Sequence, residues 1–498
     1  MSSLSQKVMS GTVWMLGFKF SHRMIGVVST VILARLLVPE DFGLVAMAMA
    51  VYAFIDLLGN LGFEQALIKN QEAERRHYDT AWTFLVLYGV VSALILIAVA
   101  PLVSSMLGDD RLVPIMYALA LLAFIQGWQN IGIVAFRKEL RFGKDFQFLI
   151  TKKLVAFAVT VVLAILFRSY WALIGGMLAS RFVGVAMSYA MHPYRPQFSL
   201  AATRDIFGFS LWVFLNHLAR YVRGKGPYFF IGNLAGVSAL GLFKISREIS
   251  NLPTSQFEIP IMRVIFPGYS KIAHSAARLR GAFLKVHGMI ATLTIPAGIG
   301  IVVLADPLVN LMLGPNWLAA IPLIQVLGLY GATRVLQGNT SPLFMAIGKP
   351  YLVSVLVIIE ILVSFPLVVW LLLNYSLEVA AWGFVIGGFA VIPVGMAVIA
   401  RVLDASWREL TGVVWRPVIA AGVMGTTLLW LQQHLPQVTN ALEAALQLAI
   451  LVPVGGGVYA AALVSTWLLA GVPHGAEYRL LELSGLGWLI PGHRGETG

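Results

Sequence analysis

Apolar blocks of roughly 18 residues or more, the length that marks a membrane helix, recur from one end of this 498-residue chain to the other. Within each block the apolar residues run on without alternating, which argues for helices and against a β-barrel. The pattern predicts an all-α, polytopic membrane protein with about 14 transmembrane helices. The spans fall near 11–37, 42–66, 80–103, 113–135, 149–167, 171–191, 208–232, 238–261, 286–305, 318–346, 351–373, 379–400, 417–432 and 443–470. The first block is too long for a signal peptide and has charges inside it, so it reads as the first span. A hydrophobic fraction of 59% places the composition outside the soluble class.

Several blocks are not purely apolar. GTVWMLGFKFSHRMIGVVSTVILARLL (11–37) holds Lys19, His22 and Arg23 near its middle. Helical steps of three and four put Lys19, His22 with Arg23, Gly26, and Ser29 with Thr30 on one face. Arg181, Arg220, Arg247 and Arg334 sit near the centres of four other spans. His217, Arg220 and Arg223 share a face of the seventh span; Lys244, Arg247 with Glu248, and Asn251 share one of the eighth. The second span carries Asp56, Asn60 and Glu64 as a stripe, and Glu360 is a further acid within a span. A basic side chain facing lipid at mid-bilayer costs about 2.5–3.5 kcal/mol on insertion scales, so such faces must turn toward protein or water. Bases outnumber acids inside the spans, which predicts a hydrated cavity of surplus positive potential whose natural guest is an anion.

The net charge of +12 follows from topology. The segments on one side hold Lys7; Lys69, Arg75, Arg76; Arg137, Lys138, Arg141, Lys144, Lys152, Lys153; Arg195, Arg204; Arg263, Lys271, Arg278, Arg280, Lys285; Lys349; Arg401, Arg408, Arg416; Arg479 and Arg494. The other side holds Arg111 and Arg168. The positive-inside rule therefore expects both termini in the cytoplasm. Anionic lipid accounts for the basic loops, and no nucleic acid is expected. The absence of cysteine removes disulfides, thiolate metal sites and a cysteine nucleophile. No P-loop, HExxH or GxSxG pattern and no metal-ligand cluster is found, so neither metal nor cofactor is expected.

An internal repeat appears at an offset of 198 residues. Trp14, Gly26, Leu36, Gly43 and Leu44 align with Trp212, Gly224, Leu234, Gly241 and Leu242, and His22 falls on Arg220. Trp171 with Gly176 is echoed by Trp382 with Gly387. The repeat predicts two lobes of about six helices each around a central cavity, related by an axis along the membrane normal. The expected divisions are an N-terminal lobe at 1–200, a C-terminal lobe at 201–405, and two extra helices with a tail at 406–498. The basic stretch 258–285 reads as a surface segment.

Three stretches carry a resemblance. They are ARLLVPEDFGLVAMA (34–48) with LGFEQALIKN (61–70), ALGLFKISREISNLPTSQFEIPIMRVIFPGYSKI (239–272), and ADPLVNLMLGPNW (305–317). The chain resembles the polysaccharide-transporter branch of the multidrug/oligosaccharidyl-lipid/polysaccharide exporter superfamily. Within it the chain is most similar to Wzx-type flippases of the colanic-acid and lipopolysaccharide exporter subgroup. The resemblance implies a bacterial inner-membrane protein that carries a polyprenyl-diphosphate-linked oligosaccharide by alternating access, with polysaccharide assembly proteins as candidate partners.

A diphosphate suits arginine, whose planar fork binds phosphate oxygens in pairs, with lysine and histidine adding charge. Lys19, His22, Arg23, Arg181, His217, Arg220, Arg223, Arg247 and Arg334 are therefore the candidate substrate-contacting residues. The competing reading is ion pairing inside the membrane, such as Arg23 with Asp56 or Arg247 with Glu248. Asp56, Glu64, Glu248 and Glu360 either bind a coupling H⁺ or Na⁺ or hold arginines in place. Two other functions compete with flipping. A membrane polymerase or ligase would need a sizeable outer loop, whereas the 305–317 segment is too short for one. An ion-coupled multidrug cation exporter would need an acid-dominated cavity, the reverse of the balance here.

Overall fold

The computed structural model describes residues 4–59, 64, 67–68, 72–203, 211–253, 265–438 and 440–471. Asn60, Lys69, Arg204, Arg263, Arg479 and Arg494 lie outside the described residues. Every regular element among the described residues is helical. The chain divides into two compact units, Met1–Gly241 and Leu242–Gly498. Ten helices are long and apolar enough to cross a membrane, or up to eleven if a bent pair counts as one span, among the described residues. This is a multi-pass membrane protein.

The first unit opens with α1 (Leu4–Leu36) and α2 (Pro39–Gly59). Proline at the first helical position starts α2. Asp41 locks the corner: its carboxylate accepts the Val38 N–H at 3.1 Å and the Tyr170 N–H at 2.9 Å. Next come α3 (Arg75–Leu107), α4 (Leu112–Gly127), a 3₁₀ turn at Ile131–Ile133, and α5 (Val134–Lys138). The predicted span 113–135 is thus broken, with a 66° bend. Asn130 sits in the bend, accepting from the Gly132 N–H at 2.9 Å and donating to the Tyr194 carbonyl at 2.7 Å. α6 (Phe142–Phe167) and α7 (Trp171–Met191) form a close pair, and α1 packs on α6. The pair is tight because α7 presents Gly176, where a Cβ would stand 1.7 Å from the Thr160 hydroxyl.

α8 (Leu211–Ser250) carries the chain out of this unit and is broken at Gly236, whose φ of 87° favours glycine. Val38, where the chain passes from α1 to α2, is the equivalent of Gly236 in the repeat. The repeat also surfaces as a reciprocal contact. A Cβ on Gly43 would stand 1.8 Å from the Val237 carbonyl oxygen, and one on Gly241 would stand 1.7 Å from that of Pro39. Val237 and Gly241 are the repeat partners of Pro39 and Gly43. Each copy therefore lends a glycine to receive the other's backbone, as self-complementary contacts require.

The second unit contains α9 (Ala276–Val303), α10 (Ala305–Met312), a 3₁₀ turn at Pro315–Trp317, α11 (Ala320–Gly338) and α12 (Thr340–Ala346). They are followed by α13 (Tyr351–Asn374), α14 (Leu377–Leu403), α15 (Trp407–Gly412), α16 (Trp415–His434) and α17 (Ala441–Leu469). α13 pairs with α14, α9 and α14 flank α11, and α16 pairs with α17 and rests on α9. Gly387 repeats the role of Gly176, since its Cβ would stand 2.5 Å from the Ser364 side chain of the preceding helix. Residues 276–285, expected on the surface, form the start of the long α9. Leu279 and Phe283, both buried, draw this stretch into the packed core.

Candidate functional site

In the first unit, α1, α2, α4, α6 and α7 enclose a cavity of about 400 Å³. Its polar lining includes Ser29, Tyr52, Lys152, Lys153, Thr160 and Arg181, and among the lining residues there is no carboxylate. Ser29 is the last member of the polar stripe of α1. Arg181 comes from α7, and its guanidinium lies within electrostatic reach of the Tyr52 phenol and the Asp56 carboxylate. Tyr52 itself donates to Gln126 Oε1 at 3.1 Å. The Lys152 ammonium rests over the Phe148 ring at 4.9 Å from its centroid. Gly184 leaves room for its stem, because a Cβ there would meet Lys152 Cε at 2.9 Å. Three cations thus face one cavity, with Asp56 set beyond its lining. Low surrounding dielectric strengthens that field and favours a multivalent anion.

Lys152 and Lys153 were counted with the basic segment before the fifth span, although the expected span 149–167 already includes them. The structure corrects this: α6 begins at Phe142, so the pair lies inside the helix. The physical reason is that Phe146 and Phe148 anchor the first turns of α6 on two different sides. Phe146 packs on Trp14 at 5.1 Å, and Phe148 is fully buried. The signal was present in FGKDFQFLITKK (142–153), where Phe142, Phe146 and Leu149 follow at helical steps of four and three before the lysines.

The second unit gathers a different set. The Tyr330 phenol donates to Glu360 Oε1 at 2.6 Å, and both residues are buried. The Arg334 guanidinium lies 6.0 Å from the Tyr330 ring centroid, and Arg247 is within electrostatic reach of the same phenol. Ser246 and Ser250 donate to the carbonyls of Ala320 and Ile324, which fixes the end of α8 on α11 and positions Arg247. Arg247, Arg334 and Glu360 are thereby brought together around Tyr330, a residue the sequence reading did not select.

The remaining candidates are placed as follows. Lys19, Arg23 and Arg223 are half-buried, whereas His22, His217 and Arg220 are exposed along α1 and α8. Lys153 acts electrostatically on His22. Glu64 is engaged by Arg137 at 2.9 Å, and Arg137 also reaches Asp145 at 3.2 Å. Glu248 is exposed. No cluster of three or more metal-ligating side chains occurs among the described residues.

A strap closes one end of the first unit. Tyr194 donates to Asp79 Oδ1 at 2.5 Å, and the Gln197 N–H donates to the same oxygen at 2.9 Å. Burial, and next the Asp79 carboxylate, push the Tyr194 phenol well above its ordinary range. Beside it, burial lowers the His192 pKa, with Lys144, Arg141 and Arg195 adding to the shift and Glu139 opposing it. The Tyr194 N–H donates to His192 Nδ1 at 3.2 Å. At the other end, Arg111 holds Asp109 below the usual carboxylate range through contacts of 2.7 and 3.0 Å.

The profile described as polysaccharide biosynthesis protein matches residues 32–322. The lipopolysaccharide biosynthesis protein WzxC of Escherichia coli (strain K12) is 26% identical over 355 residues, covering 69% of this chain and 71% of that protein. The succinoglycan biosynthesis transport protein ExoT of Rhizobium meliloti (strain 1021) is 24% identical over 443 residues, covering 88% and 89%. Among solved structures, the lipid II flippase MurJ in an inward closed conformation superposes with a TM-score of 0.69 at 13% identity, covering 95% of this chain and all (100%) of MurJ. A multidrug resistance MATE family transporter of the MOP superfamily shares the fold at a TM-score of 0.53 and 17% identity, covering 77% and 96%. The profile spans more than half of the sequence, and the chain belongs to the polysaccharide biosynthesis protein family.

Proposed function

We propose that this protein is a flippase that moves a polyprenyl-diphosphate-linked oligosaccharide across a bacterial inner membrane by alternating access. It acts from the cytoplasmic to the periplasmic leaflet, in exopolysaccharide or lipopolysaccharide biosynthesis, and catalyses no bond change. One observation carries the reading: a membrane-embedded cavity lined by Lys152, Lys153 and Arg181 with no carboxylate in its lining. The diphosphate is the part of such a substrate that hydrocarbon excludes most strongly, and charge-assisted contacts to it offset its desolvation. A volume of about 400 Å³ suits that headgroup, while the prenyl tail stays in lipid. ExoT, a succinoglycan biosynthesis transport protein, and MurJ, a lipid II flippase, are in keeping with this reading.

In this reading the basic loops face the cytoplasm, where they are available to assembly proteins. Asp56 and Glu360, each near an arginine, are the places where a coupling H⁺ or Na⁺ would change the local charge. The test is flipping of a polyprenyl-diphosphate-linked oligosaccharide in proteoliposomes. Lys152→Ala, Lys153→Ala and Arg181→Ala should each slow it by roughly tenfold or more, the scale of one lost charge-assisted contact. Normal flipping by the triple variant, or transport of cationic dyes in place of the anionic lipid, would refute the proposal.

A further inference from the structure

The second unit holds a separate cavity of about 320 Å³ enclosed by α9, α11, α12, α13, α14, α15 and α16. Its walls are mostly apolar, with Leu356, Val391 and Ile399 among them. Trp415, Val418 and Ile419 line it and stand 42–49% exposed, so the cavity is open along α16, a helix long and apolar enough to span a membrane. A lipid-facing void of this kind fills with hydrocarbon in a bilayer. Yet its wall also contains His287, stacked on Phe283 with ring centroids 5.4 Å apart. The buried Nδ1 of His287 has no hydrogen-bond partner among the described residues. A buried ring nitrogen left this way is costly, and calls for a polar group from whatever occupies the cavity.

The rim carries a net positive charge. α15 gives Leu410 and Thr411 to the lining and carries exposed Arg408 one turn before Thr411, while its Glu409 is taken up by the Ser406 N–H and hydroxyl and by Arg280. Trp407 and Trp415, both exposed, mark an interfacial position for this end. We infer that this cavity is a resident site for an anionic phospholipid, with one acyl chain in the apolar pocket, its ester carbonyl at His287 and its phosphate at Arg408. This occupant is not the transported lipid, and the site is independent of the first-unit cavity.

The test uses the full chain, purified in detergent and incubated with phosphatidylglycerol, with phosphatidylcholine of the same acyl chains, or with free glycerol phosphate. Lipid retained per chain is then read by mass spectrometry after gel filtration. The wild type should retain phosphatidylglycerol in preference to phosphatidylcholine and ignore glycerol phosphate. Gly395→Leu fills the pocket, where a Cβ meets no atom nearer than Leu356 Cδ1 at 3.8 Å, and should abolish retention of both lipids. Arg408→Gln should reduce the preference for phosphatidylglycerol by roughly tenfold. His287→Leu, which keeps the pocket apolar, should lower retention without altering the elution profile. Equal retention of the two lipids by the wild type, unchanged retention in Gly395→Leu, or recovery of a polyprenyl phosphate instead would overturn the assignment.

Discussion

The reciprocal glycine contact makes a sharp quantitative demand. In Gly43→Ala the new methyl would lie 1.8 Å from the Val237 carbonyl oxygen, where ordinary contact begins at 3.4 Å. A backbone carbonyl cannot swing aside as a flexible side chain can, so α2 and α8 must part by more than about 1 Å, which forfeits a quarter to a half of the dispersion attraction along the seam. Overpacking of this kind costs about 1–3 kcal/mol, and the geometry places Gly43→Ala at the upper end. Gly241→Ala should match it, because its methyl would lie 1.7 Å from the Pro39 oxygen. Both methyls press on one seam and one separation relieves both. The double variant should therefore fall short of the summed single costs by roughly 1 kcal/mol or more. Gly422→Ala on α16, with nothing within 4 Å of its Cβ, is the control and should be neutral or slightly stabilising. The assay is thermal inactivation in detergent followed by gel filtration, where the unfolding rate is the operational stability. Wild-type stability in either single variant, or strict additivity in the double, would refute the reasoning.

His192 has a folded pKa below its unfolded value, so the unfolded chain binds more protons as pH falls through about 6.5. Stability should drop between neutral and mildly acid pH, and His192→Asn should flatten the drop in a pH series of melting temperatures. Asp109 is shifted the other way: its contribution is present above the ordinary aspartate pKa and lost as pH falls through the depressed value. Arg111→Gln should bring that loss to higher pH, read as earlier acid unfolding. Tyr194→Phe leaves the buried Asp79 short of a 2.5 Å donor and should cost about 1–3 kcal/mol, measured by the same melting assay. Tyr330→Phe should destabilise by a similar amount through Glu360, and Glu360→Gln combined with it should recover part of the loss, since an uncharged partner tolerates the missing donor better.

Much of the fold was legible because lipid imposes one dominant constraint on a membrane helix. Tyr351–Asn374, Trp171–Met191 and Ala441–Leu469 lie within two residues of the predicted spans 351–373, 171–191 and 443–470, where apolar runs end in polar turns. Boundaries failed where a helix begins basic. α6 and α9 each start with residues such as Lys144 and Arg278, and hydropathy alone cuts these turns away from the helices they open. The break at Asn130 was also hidden, because it depends on Tyr194, 64 residues distant.

The candidate sites divide along the same physical line. Arg181, Arg247 and Arg334 were legible because a charge inside an apolar run demands an explanation from any single position. Tyr330 was not, because a tyrosine in a membrane helix demands none until the fold brings Glu360 to within 2.6 Å. Lys152 and Lys153 lay between these cases, inside the expected span 149–167 yet counted with the loop charges that precede it. The repeat shows what a sequence pattern can add beyond hydropathy. Gly43 and Gly241 aligned at low overall identity, and each receives the backbone carbonyl that lies one turn before the other, from Val237 and Pro39. A duplication preserves a self-complementary contact only if both copies keep the small residue, since one methyl in either copy opens the whole seam. The glycine pair is therefore the part of the repeat that packing constrains most tightly, whereas the polar faces of α1 and α8 were free to diverge into His22 and Arg220.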